Sequence, residues 1–367
     1  MDKVSLMDLS GQYKQIAEEV QHAILNILVS GKYILGPEVD KFEKSFANFC
    51  QAKYCIGTSS GFESLFLSLI ALGIGSGDEV ITVPSTFTAT AEAIALTGAK
   101  PVFCDVEPET FVMNPNEFKA KITSRTKATI PVHLHGNPVD MNRIYKVSKE
   151  KNIHVIEDAA QAHGAIYHDK LIGSLQSVST CFSFHPVKNL GAFGDAGAIT
   201  TNNSSFAKKI RLLTNHGRQG HHKHKVIGTT GRLDTLQAGA LSVKLIHLPR
   251  WIYQKRKLIT YYKKLLPENV KTLKTTDMAV SAYHVFAILT EKRNKLAKYL
   301  ATHGIETGVH YPIPLHLQKP GRALGYKEGD FPIAEKQARE VITLPSHQHI
   351  TPEQIHYTLE TIQNFYD

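Results

Sequence analysis

Residues 79–84 read Glu79-Val80-Ile81-Thr82-Val83-Pro84, a short run of mostly β-branched residues that stops at a proline. Comparable runs, separated by longer helical patterns, occur at residues 54–56, 101–104, 128–132, 154–156, 180–184 and 198–200. Because the runs are apolar throughout instead of alternating, we expect a mainly parallel sheet that helices cover on both faces. The sequence therefore predicts an α/β fold with a seven-stranded sheet, whose ligands bind at the carboxyl ends of the strands.

Helical patterns separate these runs and continue to the end of the chain. We expect helices over residues 61–72, 88–97, 142–151, 205–214, 235–266 and 352–366, the last of them capped by Thr351. The long pattern that starts at residue 235 leaves the sheet-forming part, and mixed patterning follows it. We therefore predict a large domain over residues 1–245 and a smaller C-terminal α/β domain over residues 246–367.

The composition is that of an ordinary globular chain. It has 367 residues, of which 42% are hydrophobic and 20% charged, and its apolar runs are shorter than the roughly 18 residues that a membrane span needs. The first residues lack a basic segment followed by an apolar one, and the four cysteines form no CxxC pair. We expect a cytoplasmic protein with reduced cysteines and no membrane partner.

The net charge of +9 is compatible with binding of a nucleic acid, an anionic membrane or a phosphorylated small molecule. The basic residues are scattered, and no recognition helix, RNP motif or zinc finger accompanies them. We therefore expect no nucleic-acid partner.

Residues 183–197 place one lysine between a strand end and several glycines. The stretch begins Ser183-Phe184-His185-Pro186-Val187-Lys188 and continues with glycines at 191, 194 and 197. Glycines allow close approach of the backbone to a bound group, and Ser183 offers a hydroxyl near the lysine. The alternative is an ordinary surface lysine on a connecting loop.

Asp158 ends the apolar strand at residues 154–158, at the carboxyl edge of the predicted sheet. A carboxylate buried there requires a partner, and a bound cation would supply one. The alternative is that Asp158 caps the following helix.

Two further segments complete a candidate site. The turn from Gly57 to Phe62 lies between a strand and a helix, and the free amides of such a helix start suit a phosphate. Phe87 is either a cover for a flat ring or a core residue. The glycine-rich segment 73–77 precedes a strand instead of following one, which excludes a dinucleotide-binding motif.

An amine, a carboxylate, an anion-binding helix start and an aromatic side chain together fit pyridoxal 5′-phosphate. This cofactor needs a Schiff-base lysine, an acid that pairs with the pyridine nitrogen, a phosphate cradle and a group packed on the ring. The combination is more specific than any of its members.

The same residues resemble the DegT-type nucleotide-sugar aminotransferases of pyridoxal-phosphate fold type I. The resemblance covers nearly the whole chain, and the motifs that carry it are residues 33–39, 83–87, 131–136, 157–161, 183–188, 231–234, 236–238 and 308–312. The resemblance implies that Lys188 forms the Schiff base and that Asp158 pairs with the pyridine nitrogen. It also places Gln161 at the cofactor ring, opposite Phe87.

The resemblance further implies that Ser183 and the amides of Gly61 and Phe62 bind the phosphate. Family members are usually homodimers with composite sites, in which the segment from Asn215 to Arg232 would reach the cofactor of the neighbouring subunit. The substrate contacts that we expect are His185, Asn215, Arg232, Tyr311 and His316. For His185 we prefer a packed, hydrogen-bonded side chain to substrate contact, and for Tyr311 and His316 core packing is an alternative.

Three positions depart from the usual family pattern. Phe62 stands where threonine is common, so that only its amide can serve the phosphate. Thr230 stands where an asparagine typically reaches the partner's phosphate, and we assign it to cofactor binding. His135 stands where a tyrosine is often found and is expected to alter the substrate pocket.

The predicted function is transfer of an amino group from glutamate to a keto group of a nucleotide-linked (dTDP, UDP or GDP) deoxysugar in amino-sugar biosynthesis. We favour the C3 position of the sugar over C4. One alternative is the dehydratase branch of the family, in which histidine replaces the lysine at position 188. A second alternative is a regulatory or sensory protein that binds the cofactor without turnover.

The loop residues His221, His222 and His224 resemble a metal-binding cluster, but no acidic or cysteine partner is adjacent. We expect no functional metal there and interpret the segment as a basic loop that faces solvent or substrate.

Overall fold

The structure is a computed structural model that describes residues 3–220, 222–268 and 270–367. Its helices are α1 Leu9–Gln15, α2 Ala17–Ser30, α3 Pro37–Cys50, α4 Gly61–Ala71, α5 Ala89–Leu96, α6 Pro115–Ala120, α7 Met141–Lys151, α8 Ser204–Leu213, α9 Thr235–Leu265, α10 Arg293–Thr302, α11 Lys319–Ala323, α12 Pro332–Glu340 and α13 Pro352–Tyr366. Its strands are β1 Tyr54–Thr58, β2 Glu79–Thr82, β3 Lys100–Phe103, β4 Thr126–Thr129, β5 His154–Asp158, β6 Ile166–Tyr167, β7 Lys170–Leu171, β8 Ser179–Ser183, β9 Gly197–Thr201, β10 Arg218–Gln219, β11 Lys223–His224, β12 Lys271–Thr272, β13 Ala279–Val280, β14 Phe286–Leu289 and β15 Val341–Leu344. Two short 3-10 turns, Leu134–Gly136 and Leu315–Leu317, complete the set.

A seven-stranded sheet in the order β1-β9-β8-β5-β4-β2-β3 forms the centre of the fold. Strand β9 is antiparallel to both of its neighbours, and the other six strands run in one direction. Each of these seven strands overlaps one of the seven apolar runs, although β4 shares only residues 128 and 129 with its run, so the predicted mainly parallel α/β sheet is confirmed. The two-residue strands β6, β7 and β13 form a small separate sheet that is too short to be recognised from sequence periodicity.

Helices bury both faces of this sheet. One face packs against α3, α7 and α9, whose buried side chains include Phe42, Ile144 and Leu241. The other face packs against α4, α5 and α8, with Leu69 and Ile94 among its buried residues. Burial on both faces explains why the strand sequences are apolar throughout instead of alternating.

The C-terminal part has its own core around the three-stranded sheet β12-β14-β15. Helix α9 joins the two cores, because Leu241 packs on the large sheet and Tyr262 lies in the C-terminal core. The domain boundary between residues 245 and 246 stays a prediction and falls inside α9.

The predicted cap of the last helix is present as a capping box. Thr351 Oγ1 accepts a hydrogen bond from the amide of Gln354 at 3.3 Å, and Gln354 Oε1 accepts one from the amide of Thr351 at 3.0 Å. No helix in the three described ranges is long and apolar enough to cross a membrane.

Candidate active site

The carboxyl ends of two neighbouring strands and the start of one helix meet at a single edge of the sheet. Asp158 is the last residue of β5, Ser183 is the last residue of β8, and Gly61 is the first residue of α4. A Cβ added to Gly61 would lie 2.6 Å from the Cβ of Ser183, so glycine is required for the helix start to touch the strand end. Parallel strands bring these residues together, since their carboxyl ends point to one edge.

Lys188 follows β8 in a tight turn, in which its amide donates to the carbonyl of His185 at 2.9 Å. Gly191 closes this turn, because a Cβ there would lie 2.2 Å from the carbonyl oxygen of Pro186. Burial lowers the pKa of the Lys188 amine to about 8, although the nearby Asp158 carboxylate favours the charged form. At pH 7 roughly a tenth of this amine is therefore unprotonated, a far larger fraction than for an ordinary lysine.

Asp158 is buried and accepts two hydrogen bonds. Thr90 Oγ1 donates to its Oδ2 at 2.7 Å, and the amide of Ala160 donates to its Oδ1 at 3.1 Å. Burial raises the pKa of the Asp158 carboxyl above its usual value, while Thr90, Ala160 and the Lys188 charge act in the opposite direction. Lys188 and Asp158 are thus close enough for their charges to interact, as the sequence analysis requires.

A fully buried pair, His133 and Glu157, lies beside Asp158. His133 Nδ1 accepts from the amide of Val139 at 3.0 Å, so Nε2 carries the ring proton and donates to Glu157 Oε2 at 2.9 Å. Thr180 Oγ1 donates to the other carboxylate oxygen at 3.1 Å. The pair uses its own hydrogen bonds and leaves Asp158 as the carboxylate that faces the lysine.

Gln161 and Tyr311 are joined by a hydrogen bond, and the Asp158 charge acts on Tyr311. Gln161 Oε1 accepts from the amide of His135 at 2.6 Å, and its Nε2 donates to the Tyr311 hydroxyl at 3.3 Å. The ring of Phe87 lies 6.0 Å from that of Tyr311, and 57% of the Phe87 side chain is exposed. Phe87 is therefore available to a ligand and is not a core residue.

His135, which replaces the more common tyrosine, is buried beside this group. Its Nε2 donates to the carbonyl of His310 at 3.0 Å, and burial lowers its pKa to about 4. His135 therefore links two parts of the site, because its amide binds Gln161 and its neutral imidazole binds the segment that carries Tyr311.

The start of α4 has free amides. Ser60 caps the helix by accepting from the amide of Glu63 at 3.0 Å. The amides of Gly61 and Phe62, in the first turn of the helix, are left for a ligand. The Phe62 ring stacks on Phe66 at 5.9 Å, so that only its backbone faces the helix end. Ser183, on the adjoining strand end, accepts from the amide of His185 at 3.3 Å through its Oγ.

Two predicted site residues, Asn215 and Arg232, are in contact with each other, and a third, Thr230, contacts a different residue. Arg232 donates to Asn215 Oδ1 at 2.7 Å, and the backbone of Arg232 forms a bridge with Thr58. The exposed Thr230 hydroxyl lies 3.1 Å from His216 Nε2.

His221, one of the three histidines considered for metal binding, lies outside the described residues. His224 Nδ1 donates to the carbonyl of His216 at 2.8 Å. In the part of the chain that the structure describes, no group of three or more histidine, cysteine or acidic side chains is arranged to hold a metal ion.

Two expected substrate residues lie in different surroundings. The side chain of His185 is exposed, so the packed side chain that we prefer from the sequence is wrong. His316 is fully buried and its Nε2 lies 3.0 Å from Glu335 Oε1. Because His316 is fully buried, contact with a substrate would require the residues that cover it to move, and the substrate roles of both histidines stay predictions.

The structure adds site residues that the sequence analysis did not identify. Thr90 binds Asp158, and the pair formed by His133 and Glu157 supports the same strand end. Thr90 is an ordinary helix residue that the sequence does not distinguish. Glu157 carried a signal, since it directly precedes Asp158 in an apolar strand.

Residues 14–363 match the model of the DegT/DnrJ/EryC1/StrS aminotransferase family. The chain is 45% identical over 99% of its length to a pleiotropic regulatory protein of Geobacillus stearothermophilus, covering 98% of that protein. It is 37% identical over 99% of its length to the dTDP-3-amino-3,4,6-trideoxy-α-D-glucose transaminase of Streptomyces venezuelae, covering 96% of it. The fold matches a crystal structure of S. venezuelae DesV in complex with a ketimine intermediate, with a TM-score of 0.98, 36% identity and coverage of 100% of this chain and 99% of that one.

Proposed function

The chain belongs to the DegT/DnrJ/EryC1/StrS aminotransferase family, and we propose that it transfers an amino group from glutamate to a keto group of a nucleotide-linked deoxysugar. It is an aminotransferase that depends on pyridoxal 5′-phosphate, and similar solved structures include forms with this cofactor and with its amine form. The observation that carries the proposal is the half-buried Lys188 amine, held by the turn after β8 close to the buried Asp158 carboxylate at the end of β5.

The residues present fit the cofactor. Gly61 leaves room between the helix start and Ser183 that a Cβ would fill, and the amides of Gly61 and Phe62 with the Ser183 hydroxyl suit a phosphate. Asp158 would pair with the pyridine nitrogen, and Lys188 would form the covalent link. Gln161 and the exposed Phe87 would pack on the ring.

When bound there, the cofactor supplies an electron sink for the carbanion of the amino donor. Asp158 favours a protonated pyridine nitrogen, because its buried negative charge needs a nearby positive partner. Lys188 Nζ, with a pKa of about 8, would take up the proton from the α-carbon of the donor and deliver it to the cofactor carbon that keeps the amino nitrogen, so that hydrolysis releases the donor as a keto acid. The free-amine fraction rises as the pH increases through about 8, so the rate should rise over the same range.

Lys188→Ala tests this assignment. Purified protein should show visible absorbance from the covalently held cofactor, and the variant should lose both that absorbance and turnover. Lys264→Ala, at an exposed position on α9, is the matched control and should retain both. Unchanged turnover in Lys188→Ala would refute the mechanism.

We favour the C3 position of the sugar, because the Streptomyces relative is named for a 3-amino sugar. Basic residues such as Arg232 would meet the diphosphate of the substrate. The test is mass spectrometry of the products formed with glutamate from a panel of 3-keto and 4-keto nucleotide sugars. Amination of the 4-keto members alone would reverse the assignment.

A second candidate is a regulatory role without turnover, which the 45% identity to a pleiotropic regulatory protein favours. The presence of Lys188, Asp158 and Ser183 supports catalysis instead, and Lys188 also argues against a dehydratase, in which histidine takes this position. Addition of glutamate distinguishes the aminotransferase from the regulatory protein. An aminotransferase converts its cofactor to the amine form, whereas a sensor need not. Absence of this spectral change would favour regulation.

We also propose a homodimer with composite sites. The segment between Asn215 and Arg232 carries Val226 and Ile227, and 95% of the Ile227 side chain is exposed. Helix α2 likewise exposes Leu28 and Val29. Burying such apolar surface against a second copy would be favourable.

Mixing two inactive variants tests the composite arrangement. In a hybrid of Lys188→Ala and Arg232→Ala chains, one site would combine an intact lysine with an intact loop from the other subunit. We expect activity to reappear when the two variants are refolded together. A refolded mixture that remains inactive would contradict shared sites.

The buried, free cysteines support a further proposal, that the protein resides in a reducing, cytoplasmic setting.

A further inference from the structure

Helix α9 carries a buried lysine behind the turn that contains Lys188. Lys255 Nζ donates to Asn189 Oδ1 at 3.2 Å and to the carbonyl of His284 at 2.7 Å. Asn189 follows Lys188 directly in the chain. We propose that Lys255 is a positioning residue, which holds the Lys188 turn in place through the side chain of Asn189. The inference rests on the proposed function only in taking Lys188 as the reactive amine.

The Asn189 amide can take only one orientation in this site. Its Nδ2 donates to the carbonyl of Ala282 at 2.8 Å, and its Oδ1 accepts from Lys255. The Ala282 carbonyl only accepts, so exchanging the two ends of the amide would set two acceptor oxygens against each other and break that bond. The residue after Lys188 is thereby fixed between α9 and the segment 281–284.

Loss of Lys255 would leave two acceptors without their donor, Asn189 Oδ1 and the carbonyl of His284. Unpaired buried polar groups are costly, and the exposed side of the turn offers water as an alternative partner. The turn should therefore shift outward and carry Lys188 toward solvent.

The ionisation of Lys188 reports such a shift. The titratable groups that interact with it are Asp158, His163, His284 and His310, and burial lowers the pKa of each of the three histidines. His284 and His347 interact with Lys255, whose own pKa burial lowers to about 7. Because burial is the main cause of the low Lys188 pKa, exposure of its amine should raise that pKa toward its usual value of 10.5.

Lys244 offers a matched comparison on the same helix. It is also buried, and its Nζ donates to the carbonyl of Gly191 at 2.7 Å. Burial lowers its pKa to about 8. Lys244→Met therefore removes a buried lysine and one hydrogen bond to the same loop, but leaves the link between Lys255 and Asn189 intact.

The experiment measures the pKa of Lys188 in the full-length chain after removal of the cofactor. Competitive acetylation over a range of pH, followed by peptide mass spectrometry, gives this value for wild type, Lys255→Met, Asn189→Ala, the double variant and Lys244→Met. We expect Lys255→Met to raise the Lys188 pKa by about one unit, which is about tenfold less free amine at a given pH below it. Asn189→Ala should raise the Lys188 pKa by a similar amount. In the double variant the rise in the Lys188 pKa should not exceed the larger of the rises seen in the two single variants.

Thermal unfolding of each variant, recorded alongside, separates positioning from folding. An unchanged Lys188 pKa in folded Lys255→Met, additive shifts in the double variant, or an equal shift in Lys244→Met would each overturn the proposal. If Lys255→Met does not fold, Asn189→Ala decides, since a raised Lys188 pKa supports the link and an unchanged one overturns it. The labelling contains no cofactor or substrate, so failure of the proposed transamination would be seen separately in wild-type assays.

Discussion

Replacing Thr90 by valine removes one hydroxyl from Asp158 with little change in side-chain size. Thr90 Oγ1 donates to Asp158 Oδ2 at 2.7 Å, and both residues are buried. A hydrogen bond to a charged group contributes roughly 1.5–3 kcal/mol. Its loss should raise the pKa of Asp158 further and should destabilise the fold by up to that amount at a pH where the carboxylate is ionised.

The sign of the pH dependence follows from the direction of the existing shift. Burial already holds the Asp158 pKa above its usual 3.8, so the folded state binds this proton more readily than the unfolded state. Ionisation of Asp158 therefore destabilises the folded state, and this destabilisation grows as the pH rises from 3.8 through the folded pKa. The additional cost of Thr90→Val should be complete at high pH and should shrink as the pH falls below the folded pKa of Asp158.

Urea unfolding of wild type and Thr90→Val, in steps from about pH 8 to about pH 4, measures this cost. Thr88→Val is the matched control, because the Thr88 hydroxyl donates to the exposed Glu92 instead of Asp158. A loss of stability that is the same at every pH would show that the Thr90 hydroxyl does not act on the ionised carboxylate. An equal loss in Thr88→Val would refute the reasoning as well.

Three further changes have defined outcomes. Gly61→Ala places a Cβ 2.6 Å from Ser183 and should weaken cofactor binding, measured by equilibrium dialysis, by at least about tenfold; unchanged affinity would mean that the helix start does not hold the phosphate. Phe42→Ala removes a fully buried ring and should lower the free energy of unfolding in urea by about 3–5 kcal/mol, so a variant with wild-type stability would argue against the described core. Thr351→Ala breaks the capping box of α13 and should cost about 1 kcal/mol in thermal or urea unfolding; Gln354→Ala should cost a similar amount, and no loss in either would contradict the box.

The site could be predicted where its chemistry is local in the sequence. Lys188 stands in a motif with Ser183 and Pro186, and Asp158 directly ends an apolar strand. The environment of these residues could not be predicted in the same way. The partner of Asp158, Thr90, lies 68 residues away in a helix whose pattern gives no sign of that role.

Local patterns likewise misjudge some surroundings. Core packing was an open alternative for Phe87, which the structure shows exposed, and His185 lies at the surface. His316 resembles a substrate residue in sequence but is paired with the buried Glu335. Burial is decided by which elements cover a residue, and that depends on the whole arrangement of helices.

The sequence by itself determined the apolar strands of the sheet, the cap of the last helix and the residue types at the carboxyl edge of the sheet, because periodicity and turn chemistry act over a few neighbouring residues. Only the tertiary structure decided how far the pKa of Lys188 is lowered and which side chains hold its turn. Those properties depend on desolvation and on contacts such as that of Lys255 with Asn189, 66 residues apart, which form only when α9 packs behind the site.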